Sequence, residues 1–233
     1  MDDVNDSLLS AVQAGDPELV RVSLERGADP NATFDRGNDV LGAAVIAGHT
    51  QIVRMLLDAG ARPNVTRWDG NTPLYWAARK GRLDLVEPLL AAGASVAAEP
   101  DHEQTSLHAA AEEGFLEVLK RLLEADGTNA LSRFDYISRT PLVCAVEAGQ
   151  LLAAQILISA GADVNAFDEE NIGNTALHCA VFSGTCQAVE LLLNAGANPN
   201  IPGWMGITAM DKAAQREDDE GRRILSLLKE SIG

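Results

Sequence analysis

Four histidines and three cysteines are the side chains here best suited to metal binding or covalent chemistry: His49, His102, His108, His178, Cys144, Cys179 and Cys186. A transition metal needs several such ligands converging, usually announced by short spacings. No histidine pair has H-x-x-x-H spacing beside Cys or Asp, and no C-x-x-C occurs. Nucleophilic and phosphate chemistry lack their signatures too: there is no G-x-S-x-G, no G-x-x-x-x-G-K-[ST] and no G-x-G-x-x-G between a strand and a helix. The 34 Asp and Glu residues could place two carboxylates together, but acid/base work needs a pocket that desolvates them. No catalytic residue, cofactor or metal is therefore expected. The one alternative is a reactive or metal site built on Cys186, His102 and nearby carboxylates, with Cys186 exposed. Nothing basic beside Cys186 points to a lowered thiol pKa.

Charge and composition narrow the function further. The net charge is -16, and hydrophobic residues make up 46% of 233 residues, enough for a packed core. Aromatics are only 4%, so Ala and Leu must build most of it, as suits small, closely packed helices. No apolar run approaches the roughly 20 residues of a membrane span. The acidic start Met1-Asp2-Asp3-Val4-Asn5-Asp6 lacks the features of a signal peptide. An odd number of unpatterned cysteines reads as free thiols in a reducing cytosol. Negative charge repels nucleic acid and anionic membranes and favours a basic protein partner. A cytoplasmic monomer binding such a partner is the expectation.

Any functional side chain must be carried by a repeat. Leu8, Leu41, Leu74, Leu107, Leu142, Leu177 and then Met210 are spaced by 33, 33, 33, 35, 35 and 33 residues. An alanine follows each by three: Ala11, Ala44, Ala77, Ala110, Ala145, Ala180 and Ala213. Within a unit, Thr72, Thr105, Thr140 and Thr175 read as N-caps, with Asp6 and Asp39 in that role in the first two repeats. Pro73 and Pro141 fall at the first helical position. Gly81 ends a first helix in a left-handed conformation. Leu83, Val86, Leu89 and Leu90 form the apolar stripe of a second helix, which Gly93 stops. Pro, Asn and Asp residues then turn the chain into a hairpin-like finger.

The motifs Thr72-Pro73-Leu74-Tyr75-Trp76-Ala77, Thr105-Ser106-Leu107-His108-Ala109-Ala110, Thr140-Pro141-Leu142-Val143-Cys144-Ala145 and Thr175-Ala176-Leu177-His178-Cys179-Ala180 resemble the ankyrin T-P-L-H-x-A signature. Gly27-Ala28-Asp29-Pro30-Asn31, Gly161-Ala162-Asp163-Val164-Asn165 and Gly196-Ala197-Asn198-Pro199-Asn200 resemble that family's closing motif. The resemblance covers nearly the whole chain. It implies an all-α ankyrin-repeat solenoid of stacked helix-turn-helix units with β-hairpin-like fingers. One domain, 1–233, is expected, with repeats near 1–33, 34–66, 67–99, 100–132, 133–167, 168–202 and 203–233. It also implies structural roles for His108 and His178, which would tie neighbouring units, and for His49 in a Gly-His turn. Cys144 and Cys179, equivalent in adjacent repeats, lie beyond disulfide reach and read as core fillers. The end units need polar outer faces. Ser23 and the Gln215–Glu220 run, followed by a helix from Arg222 to Glu230, read that way.

Departures from the pattern read either as neutral loop drift, which solenoids tolerate, or as a recognition surface specialised around repeats three to six. Pro88 interrupts a second helix and removes one hydrogen bond from it. The fingers Leu131–Arg139 and Ala166–Asn174 are longer than the earlier ones. The resemblance places binding on fingertips and the exposed face of each first helix. The matching residues are Arg36, Trp68, Asp69, Arg79, Lys80, Asp101, His102, Glu112, Glu113, Phe134, Tyr136, Glu147, Glu169, Glu170, Phe182 and Trp204. Trp68, Tyr136, Phe182 and Trp204 are costly to leave in water and typical of interface anchors. Trp76 is expected half-buried between first helices. Carboxylates, Asp135 among them, collect near the groove of repeats four to six. The expected function is a protein-binding module that sequesters, inhibits or scaffolds a basic protein, as an immunity or inhibitor protein does. The alternative is a regulatory adaptor or secreted effector scaffold.

Overall fold

The computed structural model describes residues 4–34, 38–66, 70–98, 104–168 and 173–231. It falls into two compact units, 1–106 and 107–233. Unit 1 holds α1 (Val4–Ala14), α2 (Pro17–Glu25), the strands β1 (Thr33–Phe34) and β2 (Asn38–Asp39), α3 (Val40–Ala47), α4 (Thr50–Asp58), α5 (Pro73–Arg79) and α6 (Leu83–Ala91). The strands form an antiparallel hairpin with Thr33 opposite Asp39 and Phe34 opposite Asn38. α7 (Ser106–Glu113) begins at the boundary. Unit 2 continues with α8 (Leu116–Ala125), α9 (Pro141–Glu147), α10 (Leu151–Ser159), α11 (Ala176–Ser183), α12 (Cys186–Asn194), α13 (Ala209–Ala214) and α14 (Asp219–Glu230). In unit 1, α3 packs on α1 and α5, while α4 packs on α2 and α6. In unit 2, α11 packs on α9 and α13, and α10 and α14 flank α12. Each unit is thus a layer of first helices backed by a layer of second helices, the ankyrin-repeat arrangement.

The local signals act as their chemistry requires. Thr72 Oγ1 accepts from Tyr75 N–H at 3.2 Å and Thr140 Oγ1 from Val143 N–H at 3.3 Å, with Pro73 and Pro141 opening their helices. Asp39 Oδ1 accepts from Gly42 N–H at 2.7 Å. Asp6 does not cap: α1 starts earlier, at Val4, and places Asp6 inside its first turn. Gly48 and Gly184 end their helices at φ 80° and 74°, where a Cβ would be strained. α6 continues through Pro88 as one segment. The polar cap expected at Ser23 is also revised. Ser23 is buried; its hydroxyl donates to Leu19 O at 2.9 Å and pairs with Ser7 Oγ at 3.2 Å. α14 begins three residues before Arg222, because Asp218 Oδ1 accepts from Gly221 N–H at 2.6 Å and starts an extra turn.

Asparagines join successive repeats through a clamp that the spacing analysis does not anticipate. Asn31 donates to Gly60 O at 3.2 Å and accepts from Arg62 N–H at 2.8 Å. Asn64 repeats this on Gly93 O and Ser95 N–H, and Asn165 on Gly196 O and Asn198 N–H. One side chain satisfies two backbone groups of the next unit, so it fixes spacing as well as contributing energy. Ala130 stands in this register and instead closes a 3-10 turn, Gly127–Ala130.

The cores are Leu and Ala in register. Leu8, Leu41 and Leu74 are buried in unit 1, and Leu107, Leu142 and Leu177 in unit 2. Ala110 has no exposed surface. Enlarging it to leucine inserts three carbons into a filled interior, so Ala110→Leu is expected to cost about 1–3 kcal/mol. A lowered urea midpoint at unchanged slope checks this; a wild-type midpoint would contradict the packing described.

Candidate functional site

The residues singled out in unit 1 are partly committed to the fold. Arg79 Nη1 donates to Tyr75 OH at 2.9 Å, and Tyr75 OH donates to Gln104 Oε1 at 3.0 Å. Lys80 Nζ donates to Ile46 O at 3.2 Å, tying α5 to the end of α3. Trp76 is half-buried as expected, edge-on to Tyr75 at 5.5 Å. Arg36, Trp68, Asp69, Asp101, His102, Glu169 and Glu170 lie outside the described residues.

Unit 2 brings more of the set together. Glu112 and Glu113 end α7, and Glu147 ends α9 at the register position that Phe182 holds on α11. The finger before α9 is organised by Asp135, whose side chain is 0% exposed. Asp135 accepts from Ile137 N–H at 3.1 Å, Arg139 N–H at 2.9 Å and Arg139 Nε at 2.9 Å. Arg139 also pairs with Glu147 at 3.2 Å. Asp135 is therefore not a groove charge, as its position in the sequence suggests, but the buried hub of the turn. Ser138 is held at φ 64°, its Oγ donating to Asp168 Oδ2 at 2.7 Å. This finger exposes Tyr136 (64%) and Ile137, while Phe134 is half-buried.

Among the described residues, the largest apolar exposure lies on the next two repeats. Phe182 is 79% exposed, Trp204 60% and Met205 69%. Arg216 reaches back to Val181 O and Phe182 O, both at 3.0 Å, and pairs with Asp218 at 2.6 Å. It thereby caps the end of α11 and fixes the backbone that carries Phe182. Met205 sits at φ 61° between Trp204 and Gly206, an uncommon conformation for a non-glycine residue at an exposed tip. Phe182 divides two clefts. One, about 460 Å³, is lined by Glu147, Asn174, Cys179, Phe182, Ser183 and Lys212. The other, about 450 Å³, is lined by Val181, Phe182, Trp204, Ile207, Lys212, Gln215 and Arg216. Lys212 escapes the sequence reading. Its signal is a register one: it holds the place that Trp76, Ala109, Cys144 and Cys179 fill in other repeats.

The titratable groups here are structural. Burial drives the Cys144 and Cys179 thiols far above their ordinary value, and Cys179 Sγ donates to Glu147 Oε1 at 3.2 Å. Cys186 is not the exposed thiol expected. It is buried, and burial followed by the Glu220 carboxylate pushes it up to about 11. No group of three or more His, Cys, Asp or Glu side chains could hold a metal among the described residues. His178 accepts Thr175 N–H at Nδ1 and meets Ile207 O through Nε2 at 3.0 Å. His108 Nε2 meets Arg139 O at 3.0 Å. Both rings tie one repeat to the next. The clefts can thus cover apolar side chains and pair charge.

Burial, the dominant cause, lowers His108 to about 4 from an ordinary 6.5. The unfolded chain therefore binds the extra proton first. The stability of neutral His108 is complete above pH 6.5 and declines as pH falls towards 4. His178 is lowered in the same direction, mainly by burial. The urea midpoint is expected to drop between pH 7 and 5, with a shallower slope in His108→Gln; an identical slope in that variant would contradict the assignment.

A family model described as ankyrin repeats (3 copies) matches residues 8–100, 89–168 and 107–203. A search of curated protein sequences returns no match. Among solved structures, the human ASB11 ankyrin repeat domain aligns with a TM-score of 0.76 and 25% identity, over 94% of this chain and 96% of that one.

Proposed function

The chain belongs to the ankyrin-repeat family of protein-interaction modules, and from that premise we propose that it captures a protein partner on the first-helix and finger face of unit 2. The observation that carries this reading is that Phe182 and Trp204, both strongly exposed, line one cleft, with Met205 exposed next to Trp204 in the chain. Large apolar side chains left in water gain most when a partner covers them. The partner is basic overall. A net charge of -16 supports this, since it attracts a basic surface over long range and makes association fall with salt. Binding inhibits the partner by covering its own functional surface. Three free thiols fit a reducing compartment such as the cytosol. No helix among the described residues is long and apolar enough to cross a membrane.

The test is capture from native lysate on the wild-type chain and on Glu112→Lys/Glu113→Lys, with identification by mass spectrometry. A basic protein retained by the wild type and lost by the variant is expected, and its own activity should fall when the chain is added. Equal retention by both baits would remove the acidic steering. A bound partner that keeps its activity would make the chain an adaptor, and an empty wild-type bait would remove the reading altogether.

A further inference from the structure

The protein-binding reading leaves open what the partner must place in the clefts, and on that basis we propose that its anchor is an extended segment with an apolar side chain against Phe182 and a carboxylate on Lys212. Lys212 lines both clefts. Its Nζ lies 6.0 Å from the Phe182 ring centre and 3.4 Å from Asn174 Oδ1. It makes no ion pair among the described residues. The other charges lining the clefts are differently placed: Arg139 serves both Asp135 and Glu147, so Glu147 keeps part of its negative charge in the cleft it shares with Lys212. Glu147 is engaged by Arg139 and by the Cys179 thiol. Arg216 is held by Asp218 at 2.6 Å. In the cleft that Phe182 and Trp204 share, no carboxylate is among the lining residues and Arg216 is held by Asp218, so the uncommitted charge there is that of Lys212, opposite in sign to the chain as a whole.

Desolvation turns this into a requirement on the partner. A segment lying on Phe182 and Trp204 excludes water from the Lys212 ammonium. An ammonium stripped of water is costly unless it gains an acceptor, preferably an anionic one. A partner carboxylate supplies it, whereas a partner lysine or arginine there adds repulsion. The spacing follows from chain geometry. In an extended segment, residues i and i+2 point to the same side about 6.6 Å apart, close to the separation of the Phe182 ring from Lys212 Nζ. The recognised pattern is apolar-x-acidic. A basic partner can carry such a segment, because net charge governs the approach and this contact governs the seat.

The probes are two peptides, acetyl-Leu-Phe-Ser-Asp-amide and acetyl-Leu-Phe-Ser-Lys-amide, titrated into the full chain. The readout is the Trp204 indole N–H signal by NMR, assigned with Trp204→Phe. The acidic peptide is expected to bind at millimolar or lower concentration and at least about fivefold more tightly than the basic one. Lys212→Glu should reverse the order and Lys212→Met should abolish the difference, with both variants melting as the wild type does. Equal binding, preference for the basic peptide, or an order unchanged in Lys212→Glu would overturn the proposal. So would the absence of a shift with the acidic peptide. If lysate capture still succeeds in that case, the protein-binding reading stands and only the anchor chemistry falls.

Discussion

Replacing Arg139 with alanine is expected to destabilise unit 2 by about 3–5 kcal/mol, because it removes the guanidinium that pairs with the buried Asp135 carboxylate. The Arg139 side chain is only 15% exposed and meets the Asp135 carboxylate through Nε and Nη2, at 2.9 and 2.8 Å. The backbone N–H groups of Ile137 and residue 139 remain as donors in the variant. They stabilise the carboxylate but do not neutralise it. Arg139→Lys should recover only part of the loss, since an ammonium lacks the planar fork. Asp135→Asn in the Arg139→Ala background should recover part of that stability by removing a buried charge. Urea unfolding of the four proteins checks this. A loss under 1 kcal/mol in Arg139→Ala would contradict a dry ion pair and place the finger in solvent.

Leu142→Ala is the second large effect, about 3 kcal/mol within the range for emptied core leucines. Leu142 lies on α9, which packs on α10 within its repeat and on α11 in the next. Repeat stability depends on neighbour interfaces, so one cavity weakens both contacts. Hydrogen exchange in α9, α10 and α11 should accelerate together, with a lower urea midpoint. Exchange confined to α9 would contradict the coupling of neighbours through this leucine.

Much of the fold is legible because it repeats. Leu74, Leu107 and Leu142 mark equivalent sites, and Thr72 and Thr140 cap through contacts three residues away. Phe182 and Trp204 are legible for the same reason: their register alone puts them on first-helix ends and fingertips. What escapes the reading is not periodic. Asp135 looks like a surface charge because its burial depends on the shape of a lengthened finger. Cys186 looks exposed because α14, beginning one turn early, brings Glu220 to it. Lys212 is invisible as a cation among cations; only its place in a column of small and apolar residues singles it out.

The most direct test is the affinity of the captured partner for the wild type, for Phe182→Ala/Trp204→Ala and for Leu152→Ala. Leu152 is an equally apolar control, 62% exposed on α10 among the second helices. The double variant should bind at least about thirtyfold more weakly with an unchanged melting temperature, and Leu152→Ala should bind as the wild type does. Full affinity in the double variant, or a loss on Leu152→Ala alone, would put the binding surface elsewhere and contradict the account.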